Sequence, residues 1–110
     1  MQDISILMQE ARTSLIQCVN DYKTLGRYLA TAERDYKISL RKEILRLHIE
    51  DKVAWTSCDV LAHGEDKVAK LRWKRDCYRS DYASCYESIL VTKTELRILE
   101  GEAMAIRQGQ

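Results

Sequence analysis

The chain has 110 residues, 45% hydrophobic and 32% charged, with eighteen Lys and Arg against seventeen Asp and Glu for a formal net charge of +1. That length sets one domain, and the balanced charge excludes a global field drawing the protein onto nucleic acid or an anionic membrane. With no proline, no phenylalanine and four glycines, the composition favours long uninterrupted helices, and no apolar run approaches the roughly 20 residues of a membrane span.

From the start, MQDISILMQEAR carries an acid and no cleavable apolar block, so no signal peptide is expected and the cytoplasm is the expected compartment. A first arm is predicted over 3–49. Apolar residues recur there at Ile4, Met8, Ala11, Leu15, Cys18, Tyr22, Leu25, Leu29, Ala32 and Tyr36, in alternating steps of four and three. That is a heptad seam, and so strict a repeat implies left-handed winding against a partner helix. The pattern continues as Leu40, Ile44 and Leu47, and the successive steps of four act as a stutter that locally unwinds the supercoil. Gly26 costs about 1 kcal/mol of helix propensity relative to Ala; a kink and a close approach of another helix are the two alternatives.

The chain reverses over 50–64, EDKVAWTSCDVLAHG. Thr56 and Ser57 suit an N-cap and Gly64 a C′ position, which predicts a short helix over 58–63. Glu65 and Asp66 open a second arm, 65–107, where acids complement the helix dipole. Its seam reads Val68, Leu71, Arg75, Tyr78, Tyr82, Cys85, Ile89, Thr92, Leu96, Leu99, Ala103 and Ile106. Arg75 is the odd member: either it fixes register at a cost in stability, or its stem packs while the guanidinium reaches solvent. A second stripe runs through Cys77, Ser84, Val91, Ile98 and Ala105, with Trp73 one turn before it. A helix with two apolar stripes needs two neighbours.

The expected fold is therefore all-α: an antiparallel, coiled-coil-like helical hairpin with a short helix at its turn. Two copies are expected to associate into a four-helix bundle, with Cys77, Val91, Ile98 and Ala105 as the candidate interface of a homodimer.

Chemistry-bearing motifs are sparse. Cys18, Cys58, Cys77 and Cys85 form no CxxC pair and read as small hydrophobes. A zinc site from His48, Cys58, His63 and Cys77 matches no familiar ligand spacing, so no metal and no cofactor are expected. Without a Gly-rich phosphate loop, HExxH, nucleophile elbow or demanding carboxylate pair, no catalytic residue is assigned and the chain is read as non-enzymatic.

Positive charge gathers around the reversal: eleven basic and seven acidic residues lie between Lys37 and Arg79, against seven and ten elsewhere. Trp55, Lys67, Lys70, Arg72, Trp73, Lys74, Arg75 and Arg79 are the candidate residues for binding a partner or nucleic acid, with Lys and Arg on phosphates and a ring stacked on a base. The alternative is a solvated helical surface, its cations paired with Glu43, Glu50, Asp51 and Asp76 and its tryptophans plugging the bundle end. The segment also has a likeness to a helix-turn-helix, against which the uninterrupted second seam argues.

Three stretches, AERDYKISLRKEILRL (32–47), VAKLRWKRD (68–76) and LRILE (96–100), resemble short helical proteins encoded by temperate phages and prophages of Gram-positive bacteria. The likeness runs from about Tyr28 onward. Such relatives often carry a Gly before the reversal and a Trp near the C-terminus, where this chain has Asp51 or Lys52 and Gln108 to Gln110. The resemblance implies a phage early protein in a host cytoplasm, encoded near replication and recombination genes. The expected function is a protein–protein interaction module acting on host replication, recombination or defence machinery, with a nucleic-acid-binding accessory role as the alternative.

Overall fold

The computed structural model describes residues 3–109 and is a helical hairpin of three helices: α1, Ile4–Ile49; α2, Trp55–His63; and α3, Asp66–Gln108. The contacts group into two compact units. One takes the chain up to Thr24 and again from Tyr82, and the other is Leu25–Asp81.

Asp3 starts α1 as its N-cap, its Oδ1 accepting the Ser5 N–H at 2.8 Å and its carbonyl those of Ile6 and Leu7. All ten seam residues from Ile4 to Tyr36 are buried or half-buried. In the first unit they face α3 in antiparallel order. Arg12 meets Glu100 at 3.8 Å, the Cys85 thiol donates to the Cys18 carbonyl at 3.4 Å, and Tyr22 stacks on Tyr82 with ring centroids 4.2 Å apart. Ile89 and Thr92 are its buried α3 residues, and the Thr92 hydroxyl is satisfied by the Ser88 carbonyl at 2.8 Å.

In the Leu25–Asp81 unit the same antiparallel pairing puts Tyr28 beside Tyr78 and Arg79 beside Glu33. The seam then changes partner. Leu40, Ile44 and Leu47, displaced by the stutter, pack with Val53 against the fully buried Cys58 and Ala62 of α2. Two steps of four advance the apolar stripe around α1 by about 80°, roughly 40° for each step beyond a full turn, and that rotation is what turns it from α3 to α2. The last turns of α1 thus have their own small core.

The turn differs from expectation at the start of α2, whereas its end at His63, followed by Gly64, is as expected. The helix begins at Trp55, ahead of Thr56 and Ser57, and its N-cap is Ala54 with no side-chain cap. The Ala54 carbonyl already accepts the N–H groups of Ser57 and Cys58, so Thr56 and Ser57 lie inside the helix. Gly64 keeps right-handed angles, φ −84°, and the left-handed residue is Lys52, φ 58°, just after α1. Glu65 caps α3: its Oε2 accepts the Val68 N–H at 3.0 Å, over the fully buried Val68 side chain.

Candidate interaction surfaces

The basic residues of the sequence motif do not form one patch. Arg75 lies inward, its side chain 13% exposed, with the guanidinium 4.6 Å above the Tyr36 ring and 2.8 Å from Asp76. It is mostly withdrawn from solvent and is not unpaired: the ring face and the carboxylate compensate it. Arg79 is 3.6 Å from Glu33 and Lys70 2.9 Å from Asp66, a contact that raises the Lys70 pKa. Arg72 and Trp73 point outward, Trp73 being 71% exposed, so it plugs nothing within this chain. Trp55 is half-exposed and stacks on His48, centroids 3.6 Å apart. On α1, Arg46 gathers Glu43, Asp51 and Glu50 at 2.7, 3.1 and 3.9 Å. Hydrogen bonding to Arg46 holds the Glu43 carboxyl below its usual range.

Lys67 and Lys74 are placed differently, and they find a companion in Lys42. Within the Leu25–Asp81 unit the valley between α1 and α3 holds two adjoining recesses. One, of about 300 Å³, is lined by Asp35, Ile38, Ser39, Lys42, Lys67 and Leu71. The other, of about 280 Å³, is lined by Tyr28, Thr31, Ala32, Asp35, Lys74 and Tyr78. A third, of about 320 Å³, continues along α1 from Lys42 past Leu45 and Ile49. On α1 these positions form one straight stripe, 28, 31, 35, 38, 42, 45 and 49, on which Tyr28, Ile38, Leu45 and Ile49 are 40–66% exposed. The lysines have no ion-pair partner among the described residues, and Asp35 is already bonded to Arg34 at 3.2 Å.

The groove's α1 side was not singled out by sequence reasoning. Its signal was present as a second set of three- and four-residue steps offset from the seam. It went unread because Asp35 and Lys42 interrupt the apolar positions.

The second candidate surface belongs to the other unit. At 100° per residue, positions 83, 84, 87, 90, 91, 94, 97, 98, 101, 104 and 105 of α3 lie opposite its seam, and every one is exposed. Leu90, Val91, Ile98 and Met104 retain 40–57% of their surface. They alternate with the small Ala83, Ser84, Gly101 and Ala105, and Glu87 and Arg97 are the charges on this face. Val91, Ile98 and Ala105 of the predicted second stripe are thus exposed, whereas Cys77 is half-buried in the Leu25–Asp81 unit.

The four residues weighed as zinc ligands have other engagements or positions. His48 donates Nδ1–H to the Val53 carbonyl at 2.8 Å, and the buried Cys58 thiol donates to the same oxygen at 3.5 Å. His63 Nδ1–H donates to the Asp59 carbonyl at 2.8 Å, which leaves Nε2 to accept the Tyr36 hydroxyl at 2.6 Å. No group of three or more His, Cys, Asp and Glu among the described residues is placed to hold a metal ion, and no helix there is long and apolar enough to cross a membrane. No protein-family model, curated protein or solved structure matches the chain.

Proposed function

We propose that this chain is a non-enzymatic protein–protein interaction module that works as a homodimer. The observation that carries the reading is the outward face of α3 around Leu90, Val91, Ile98 and Met104, an apolar face set opposite a seam that is already used. A contiguous exposed apolar surface marks an interaction site more often than a solvated one. A second copy suits it. Two α3 helices run antiparallel about Thr94 place Leu90 against Ile98, Met104 against Ser84 and Glu87 over Gly101, one turn from Arg97 of the second copy. Leu90 then packs on Ile98, whereas Met104 and Glu87 meet small residues, and the two charges are complementary. A Cβ added at Gly101 meets nothing within 4 Å, so the chain's own packing gives no reason for a glycine that costs about 1 kcal/mol in mid-helix. A closely approaching second helix supplies one.

Sedimentation equilibrium tests this. The expected result is a species of twice 12.8 kDa at tens of micromolar, reduced to monomer by Val91→Glu with Ile98→Glu. A wild-type monomer at that concentration removes the dimer. The resemblance to phage and prophage proteins supports a host replication, recombination or defence component as the partner of the assembled module.

A nucleic-acid-binding role is the second reading, and Lys42, Lys67 and Lys74, cations without carboxylate partners, are what favours it. It has less support than the first because Lys70, Arg75 and Arg79 of the same segment are bonded to acids of this chain.

A further inference from the structure

We propose that the groove between α1 and α3 in the Leu25–Asp81 unit is the docking site for an acidic amphipathic helix of a partner protein. The inference rests on the interaction-module reading and names the chemistry of the partner.

Three properties of the groove specify that occupant. Its apolar residues include Tyr28 and Ile38 on α1 and Leu71 on α3, and the exposed α1 stripe carries on past them through Leu45 and Ile49, which line a recess formed by α1 residues and Glu50. From Tyr28 to Ile49 the stripe runs about 32 Å at 1.5 Å per residue, the length of a helix of about 20 residues. A helix laid in such a valley presents its own apolar residues at matching three- and four-residue steps.

The rim specifies the charge. Lys67 and Lys74 stand on the α3 side and Lys42 on the α1 side, none held by an acid, whereas Arg46, Lys70, Arg75 and Arg79 all are. Uncompensated cations bordering an apolar trough are complementary to Glu or Asp flanking an apolar stripe, and they steer such a helix into register.

The same features disfavour a phosphate backbone. A strand tracked by the lysines would leave Ile38, Leu45 and Ile49 in water. The Tyr28 and Tyr78 rings lie against each other, centroids 5.6 Å apart, and not as an open platform for a base.

The test uses the full chain and two synthetic helical peptides of about 20 residues with the same Leu/Ile stripe, one flanked by Glu and one by Lys. Binding is read by fluorescence anisotropy and mapped by amide chemical-shift perturbation. The Glu peptide is expected to bind with shifts confined to the α1 stripe and to α3 from Lys67 to Tyr78. Lys42→Glu with Lys67→Glu and Lys74→Glu should weaken binding on the order of tenfold or more, and the exposed, off-groove Arg72→Glu should leave it unchanged. Circular dichroism confirms that each variant is folded.

The proposal is overturned if the Glu peptide binds no tighter than the Lys peptide, if the shifts map elsewhere, or if the triple variant binds undiminished. It is also overturned if labelled duplex DNA binds at low salt and that binding, rather than peptide binding, is lost in the triple variant. The Val91→Glu, Ile98→Glu protein separates the two readings: if it is monomeric and still binds the Glu peptide, the groove acts independently of the dimer. A wild-type dimer that ignores the peptide removes the groove alone.

Discussion

Tyr36 joins all three helices of the Leu25–Asp81 unit, and replacing it with Phe measures one of those links by itself. The residue is 6% exposed on α1; its hydroxyl donates to His63 Nε2 of α2 at 2.6 Å, and its ring lies under the Arg75 guanidinium of α3 at 4.6 Å. Phe keeps the ring and so the cation–π contact, losing only the hydrogen bond. The net loss is about 1 kcal/mol. The acceptor left behind belongs to a side chain that is 22% exposed, so water relieves part of the penalty.

Tyr36→Leu removes the ring as well. It forfeits about 1–2 kcal/mol of desolvated cation–π attraction and leaves the guanidinium over an aliphatic group, so its total reaches about 2–4 kcal/mol with the packing loss. Urea unfolding followed by far-UV circular dichroism and by tryptophan fluorescence gives both numbers. A double-mutant cycle of Tyr36→Phe with His63→Ala should return a coupling of about 0.5–1.5 kcal/mol. Strict additivity, or a Phe variant as damaged as the Leu variant, refutes this account of how α2 and α3 are tied to α1.

The Tyr22 pKa is pushed up to about 12 by its hydrogen bond with Tyr82, then by burial and by the neighbouring Tyr82, Tyr86 and Cys85. Because the folded state holds this proton more tightly, the stabilisation is complete below the unfolded value near 10 and is lost as pH rises from about 10 to about 12. Tyrosinate absorbance should show one late-titrating tyrosine, brought down towards its ordinary value by Tyr82→Phe; six tyrosines titrating together would count against it. Gly101→Ala should raise the stability of the monomer by about 1 kcal/mol, since its Cβ enters open space. In sedimentation it should weaken the dimer; a more stable protein with unchanged dimerisation rules out pairing across Gly101.

The arms were legible because each seam repeats one simple rule many times, so an error at a single position cannot displace it. The stutter at Leu40 and Ile44 was legible as well, but its meaning needed coordinates: the shift that loosens a two-helix supercoil here hands α1 over from α3 to α2. The caps were less legible. Thr56 and Ser57 have the better capping chemistry, yet the Ala54 carbonyl takes the first helical bonds. Burial of Cys58 and Ala62 against Leu47 sets where α2 begins and outweighs the roughly 1 kcal/mol of a side-chain cap.

The basic segment shows why a charge count could not locate a site. Lys67, Lys70, Lys74, Arg75 and Arg79 are close in sequence, but at 100° per residue they point to different sides of α3, and each meets what that side offers. Arg75 falls on the seam and finds Tyr36; Arg79 finds Glu33; Lys70 has Asp66 one turn back. Lys67 and Lys74, seven apart, share one flank of the seam, and across the valley that flank meets Lys42. The sum of charges over 37–79 hides this, because it weighs a neutralised cation and an uncompensated one alike. What makes the groove a candidate is that Lys42, Lys67 and Lys74, which like Arg41, Lys52 and Arg72 are left after the chain's own acids are assigned, lie beside apolar residues left after the seams are assigned. An acidic amphipathic helix is complementary to both.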